Sequence, residues 1–441
     1  MISIAAIDPA WRPGSLWRMT RATPLGDRVL RLVDALAVHS DGPGLTRLYL
    51  SPAHRAVAEA TLGLMREAGL DARIDALGTV VGRWGPPAGP ALLLGSHLDS
   101  VVEAGRFDGP LGVVAGLVAI AQLRREGAAL PFAVELLAFG DEENVRFPTN
   151  LSTSYALAGR YDPAWLDGRD AAGATLRDAL LTFGDDPDGV AALARRPEDV
   201  VGFLEVHIEQ GPLLEAEDLP VGVVSAINGV FRARMIVGGE AGHAGTVPMG
   251  MRRDALAAAA EMIAAVERIG SGRPDTVATV GAAVVRPGAV NVVPARVEFT
   301  LDARAPADPT RNALVEAIVA ECRSVAARRG VSLEVDPFMD SPATPMDAGL
   351  AAVLEGAVRD EGIEPRRLPS GAGHDAVAMA ALGPAAMLFV RCKGGVSHNP
   401  AESITAADAE VAVRVLIGAV RRLAAGWFSP REATEDIGAG A

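Results

Sequence analysis

Five of the chain's seven histidines, His97, His207, His243, His374 and His398, fall in glycine-rich passages at expected strand ends or loops. Acids stand beside them. GSHLDS carries His97 and Asp99, AGRFDGPLG carries Asp108, FGDEEN carries Asp141, Glu142 and Glu143, and HIEQG and SHNPAES add His207 and His398. Taken singly, each has an ordinary reading. His97 fits a hydrogen-bonded core histidine, Asp108 fits a cap on the helix that opens at Pro110, and the three acids fit a solvated loop. Taken together they fit a metal cluster, because consecutive acids at a buried strand end need cations to offset their repulsion. Imidazole and carboxylate suit Zn²⁺, Mn²⁺ or Co²⁺. Two such ions about 3.5–4 Å apart can hold a water between them and stabilise a developing oxyanion. Neither cysteine, Cys322 or Cys392, lies in these passages, which favours a catalytic over a structural zinc site.

The segments that must position these groups read as strands. ALLLG (91–95), FAVELLAFG (132–140), GFLEVHIEQG (202–211) and AAMLFVRC (385–392) are short, nearly continuous apolar runs, the texture of strands buried on both faces of a parallel sheet. Each ends in polar residues. In open α/β sheets ligands bind outside the carboxyl ends of the strands, so those ends are candidates for one shared site. Residues 25–70 predict two amphipathic helices, and PLGVVAGLVAIAQL predicts a third. Between 214 and 330 the texture changes to alternating strands such as FRARMIVGG and RVEFTLDARA with two alanine-rich helices, which predicts an inserted antiparallel α+β domain. The expected organisation is a catalytic domain in two parts, 1–213 and 331–441, with a lid and dimerisation domain over 214–330.

The chain is long enough for two domains, at 441 residues. Its apolar content is 49% with only 4% aromatic residues, a balance that suits close helix–sheet packing and an α/β fold with a mostly parallel mixed sheet. A net charge of −14 argues against nucleic acid or an anionic membrane as partner. Two widely separated cysteines make no disulfide framework, so a reducing cytoplasm is the expected compartment. MISIAAIDPAW lacks a signal-like apolar core, and the tail REATEDIGAGA reads as frayed.

The motifs GSHLDSV, AGRFDGPLGV, FGDEENVRFP, EVHIEQGP, GHAGTVPMGMRRDA, NVVPARVEFTLDAR, SGAGHDA and GGVSHNPAES appear in this order. With them the chain resembles, from about Leu25 to Leu423, the amidase/hydantoinase/carbamoylase branch of the dinuclear-metal aminoacylase and carboxypeptidase-like hydrolases. The resemblance implies two divalent ions per subunit, Zn or Mn ahead of Co or Ni. It implies that His97, Asp108 and His207 hold one, that Asp108 bridges, and that Glu143 and His398 complete the second. Glu142 would be the base that activates a water between the metals, being free where Glu143 is ligated. Asp99 would fix the tautomer of His97. Gln210, His243, Asn291, Arg304, Gly373 and His374 would contact the ureido or amide group and the substrate carboxylate. His243 would polarise the scissile carbonyl from a partner subunit, which implies a homodimer, and the insert would close over the substrate.

Strand parity alone puts Arg304 on the face opposite Val297, Phe299 and Leu301, where an arginine is ordinarily a solvated charge. The resemblance makes it instead the receptor of an α-carboxylate. Within the family FVRCKGGVSHNPAES and PSGAGHDA read most like the allantoate amidohydrolases, with N-carbamoyl-L-amino acids the next substrate class. Three positions depart from the family pattern. Asn144 and Thr153 stand where glycine is usual and Thr79 where asparagine is; a side chain at 144 or 153 beside the metals would narrow the pocket or alter the preferred leaving group, and the neutral reading is drift at loop positions. Two further readings stay open: cleavage of an ordinary amide in an acylated amino acid or dipeptide, and a non-catalytic binding relative, against which all five ligands and Glu142 stand.

Overall fold

The computed structural model describes residues 23–426, so the readings of the N-terminal passage and the tail lie outside the described residues. The chain divides into two compact units. Among the described residues one holds 23–224, Met346–Leu368 and 373–426; the other holds Ser225–Pro345 and Pro369–Ala372.

Four parallel strands form the centre of the first unit: β1 (Ala91–His97), β2 (Ala133–Phe139), β3 (Val200–Ile208) and β4 (Ala385–Val390), ordered β2-β1-β3-β4. Antiparallel strands flank them. Val80–Trp84 and Asp71–Ile74 lie beyond β2, and Val221–Ile227 pairs with β4. Every residue of β1, β2 and β4 is buried, which is why these runs are almost wholly apolar. Helices α1 (Leu25–Ala37), α2 (Pro52–Glu67) and α3 (Pro110–Arg125) cover the sheet with the helices Ala348–Asp360 and Ala406–Ala424.

Helix α3 opens on Pro110 at its first turn, where a missing N–H costs nothing. Its cap is Gly109, and no side chain caps it, so Asp108 is not the capping residue. Gly109 has φ 80°, and a Cβ there would lie 2.5 Å from His97 Nδ1. Only glycine fits between the histidine and the helix start. Further along, a Cβ on Gly112 would meet Val206 O at 2.1 Å, so α3 sits directly against the backbone of β3.

In the second unit Gly229–Gly238 pairs antiparallel with both Arg296–Ala305 and Ser332–Ser341. Met235, Val237, Phe299 and Leu301 point to one face, buried under Met262, Leu314, Ile318 and Cys322 of the helices Ala255–Ser271 and Asp308–Arg329. Arg232, Arg234, Asp302 and Arg304 occupy the other face. This unit begins and ends later than 214–330. Val221, Gly222 and Val223 pair with β4 of the first unit, and Ser332–Ser341 joins the insert's own sheet. Cys322 and Cys392 are buried and free. No helix among the described residues is long and apolar enough to cross a membrane.

Candidate active site

His97 is the last residue of β1, His207 the eighth of nine in β3, Glu142 and Glu143 follow the end of β2, and His398 follows β4. The parallel sheet therefore delivers all four segments to its carboxyl end. Backbone carbonyls orient both buried imidazoles. His97 Nδ1 lies 3.0 Å from Asp99 O and His207 Nδ1 2.9 Å from Ile208 O, so each Nδ1–H donates there and each Nε2 faces inward. Those two Nε2 atoms are 3.5 Å apart. Asp108 stands between the histidines. Its Oδ1 is 3.1 Å from His207 Nε2 and 3.5 Å from His97 Nε2, while its Oδ2 is 3.3 Å from His398 Nε2. Glu143 Oε2 lies 3.5 Å from the same His398 nitrogen.

Two overlapping groups, His97 with Asp108 and His207, and Asp108 with Glu143 and His398, bring their donor atoms within 4.8 Å of one another. The donor set fits divalent cations: imidazole nitrogens turned toward carboxylate oxygens, and a buried Glu143 Oε1 that has no hydrogen-bond partner. The acids act on the histidines too: against burial, Asp108, Glu142 and Asp99 hold His97 well above the ordinary histidine range, and the hydrogen bond to Asp108 raises His398 to about 8. Electrostatics point the same way. Burial, then Asp108, pushes Glu143 up to about 7. Burial also lifts Glu142 well above the ordinary carboxylate range, with Glu143, Asp375 and Asp99 adding to it against the pull of His97. At Asp108 burial acts upward too, but hydrogen bonds from His207, His398 and His97 hold it well below that range. Glu142 belongs to neither donor group, though its Oε2 reaches within 3.9 Å of His97 Nε2.

Residues 93–422 match the model of the family described as peptidase family M20/M25/M40. The chain belongs to that family. It is an enzyme, a hydrolase, as that family is. Among similar proteins, an N-carbamoyl-L-amino acid amidohydrolase of Geobacillus stearothermophilus is 40% identical over 385 residues, spanning 87% of this chain and 94% of that one. An allantoate deiminase of Arabidopsis thaliana is 37% identical over 414 residues, 86% of this chain and 78% of that one. The crystal structure of an amidase of the hydantoinase/carbamoylase family from Burkholderia multivorans superposes with a TM-score of 0.84 at 33% identity, covering 90% of this chain and 97% of that one.

In this M20/M25/M40 chain the tautomer-fixing contact of Asp99 with His97 comes from its carbonyl and not from its carboxylate. Its carboxylate is 3.7 Å from His97 Nδ1, and its oxygens instead accept the backbone N–H groups of Glu142 and Glu143 at 3.3 and 3.2 Å. The Asp99 carbonyl sets the tautomer. Its carboxylate sets the glutamate loop. Asp141, the third acid, turns away to accept hydroxyl bonds from Thr149 and Ser152.

Two of the three departures from the family pattern are accommodated locally. Asn144 has φ 52°, the left-handed region glycine would favour and asparagine tolerates best among side-chain-bearing residues. With its amide turned to suit, it donates to Phe147 O and Thr149 O at 3.3 and 2.8 Å, within its own loop. Thr153 donates its hydroxyl to Gly140 O at 2.7 Å and accepts Gly140 N–H at 3.2 Å, fastening the same loop. The Thr79 hydroxyl is buried without a partner, and nothing in the structure explains it.

Gln210, at φ 56°, donates to Asp108 Oδ2 at 2.8 Å. His374 packs its ring edge-on to His207 with centroids 4.5 Å apart, and burial, then His207, holds it well below the ordinary histidine range, hence neutral. A Cβ on Gly373 would lie 3.8 Å from Glu142 Oε1, so this glycine keeps the space beside that glutamate open. Three expected residues belong to the second unit. There His243 pairs with Val292 and accepts Gly245 N–H at 3.0 Å, and Asn291 is exposed. Arg304 is held by Asp302 at 2.8 and 2.9 Å and donates to Gly371 O at 2.6 Å. Two residues escaped the sequence reading. Ser397 donates to Asp108 Oδ2 at 2.8 Å, and Glu402 accepts backbone N–H groups at Phe107 and Asp108. Their signal was position, flanking His398 in SHNPAES.

Proposed function

We propose that this chain hydrolyses a non-peptide carbon–nitrogen bond in a ureido or N-carbamoyl carboxylic acid, with two divalent cations per subunit. Allantoate stands first and N-carbamoyl-L-amino acids next. One observation carries the two-ion reading: the oxygens of Asp108 divide between two groups, Oδ1 toward His97 and His207 and Oδ2 toward His398. The names borne by relatives at 40% and 37% identity support the ureido class.

His97, Asp108 and His207 would hold one ion, and Asp108, Glu143 and His398 the other, Zn²⁺ or Mn²⁺ ahead of Co²⁺ or Ni²⁺. Bound there, such ions acidify water and stabilise charge that develops on a carbonyl oxygen. Glu142 takes the proton of the attacking water and returns it to the leaving nitrogen, a role that suits a carboxyl whose proton affinity burial has raised. Asp99 keeps Glu142 in place through its backbone N–H. The family resemblance assigns carbonyl polarisation to His243 and substrate contacts to Gln210, Asn291, Gly373 and His374. It gives the carboxylate to Arg304, whose guanidinium can form a bidentate pair. A cytoplasmic homodimer without nucleic-acid or membrane partners completes the reading.

The test is a panel of allantoate, N-carbamoyl-L- and D-amino acids, N-carbamoyl-β-alanine and N-acyl amino acids, assayed for ammonia and amine after reconstitution with Mn²⁺ or Zn²⁺. The expected result is ammonia from a ureido substrate, allantoate foremost. Amine without ammonia, from N-acyl amino acids alone, would replace this reading with an aminoacylase.

A further inference from the structure

The loop that carries His398 does more than supply an imidazole. Glu402, four residues on, is 3% exposed, and its Oε1 accepts Phe107 N–H at 2.7 Å and Asp108 N–H at 3.1 Å across almost three hundred residues of chain. From the other end of the loop Ser397 donates to Asp108 Oδ2 at 2.8 Å. The partner segment is shaped to receive the glutamate. A Cβ on Gly105 would lie 2.2 Å from Glu402 Cδ and 2.4 Å from its Cβ, so the 105–108 backbone lies flat on that side chain. Gly105 carries no positive φ, and contact alone demands glycine here.

We propose that Glu402 is a positioning residue for the shared ligand: by holding the Phe107 and Asp108 N–H groups it fixes the peptide from which the Asp108 carboxylate projects. This rests on the reading of Asp108 as a ligand common to two ions. Hydrogen bonds to a carboxylate are stronger than neutral ones, and the peptide's orientation decides whether the two Asp108 oxygens address His97 and His207 on one side and His398 on the other. The same clamp ties the Asp108 loop to the His398 loop, so ligands of both ions are set together.

The experiment titrates Mn²⁺ by calorimetry into the metal-free full chain, its Glu402→Ala, Glu402→Gln and Gly105→Ala variants, and a control, Gly82→Ala. In the control a new Cβ would crowd Met65 Sδ at 2.8 Å. Metal-free melting temperatures are recorded alongside, with the visible spectra of the Co²⁺-loaded forms as a readout of ligand geometry. Outer partners of metal ligands are worth about 10–100-fold in affinity, and Glu402→Ala is expected to lose that much with an altered Co²⁺ spectrum. Gly105→Ala, which keeps the carboxylate but denies it its place, is expected to match it. Glu402→Gln, still offering a carbonyl oxygen, is expected to recover most of the loss. Wild-type affinities in folded Glu402→Ala and Gly105→Ala would overturn the proposal, as would an equal affinity loss in the Gly82→Ala control. A wild-type chain that binds no divalent cation would overturn the two-ion reading beneath it.

Discussion

At the scale of single residues, the proposed chemistry turns on a division of labour between adjacent glutamates. Glu143 turns Oε2 toward His398, while Glu142 joins neither donor group and is kept protonatable by burial. Glu142→Gln is therefore expected to retain its metal content by elemental analysis while losing about 10²–10⁴-fold in turnover, the usual worth of a general acid–base group. Full turnover in that variant would remove Glu142 from the mechanism. The types and spacing of the ligands were legible because imidazole and carboxylate are conspicuous in apolar passages. The direction of each polar atom was not. Asp99 sits two residues after His97, as a tautomer-fixing acid would, yet the bend after β1 turns its carbonyl to the ring and sends its carboxylate to the glutamate loop. Asn144 likewise read as an intrusion on the pocket, and only its backbone angle and its bonds to Phe147 and Thr149 make it a substitute for glycine.

Among the elements, the contact between α3 and β3 carries the site. Asp108 precedes the first turn of α3 and His207 lies beside Val206 on β3, so the spacing of these elements sets the spacing of two ligands. Gly112 makes that approach possible. Gly112→Ala would force the helix off the Val206 carbonyl and is expected to cost about 1–3 kcal/mol, seen as a lower thermal midpoint, together with weaker metal binding. An unchanged midpoint and unchanged affinity would show that the helix–strand contact does not govern the site. The four parallel strands were readable because burial on both faces leaves an almost unbroken apolar run. The strand Ser332–Ser341 was not, since SLEVDPFMDS is largely exposed and breaks register between Pro337 and Met339. The insert accordingly extends further along the chain than composition suggested. The roles of Ser397 and Glu402 were hidden for a related reason: their partners Phe107 and Asp108 lie at a sequence distance that no periodicity reports.

For the whole molecule, chain connectivity gathers the candidate metal ligands from four separate strand ends into the first unit, while His243, Asn291 and Arg304 belong to the second. Sequence motifs spanning residues 93–422 match one hydrolase family, and the fold superposes on a solved member of the hydantoinase/carbamoylase amidases. The first unit is proposed to hold a pair of divalent ions. Crystals of the full chain grown with Mn²⁺, measured at the manganese absorption edge, test it most directly. Two anomalous peaks about 3.5–4 Å apart are expected, with Asp108 between them, His97 and His207 on one, Glu143 and His398 on the other, and Glu142 bound to neither. A single peak, peaks away from Asp108, or Glu142 in the coordination of either ion would contradict the account.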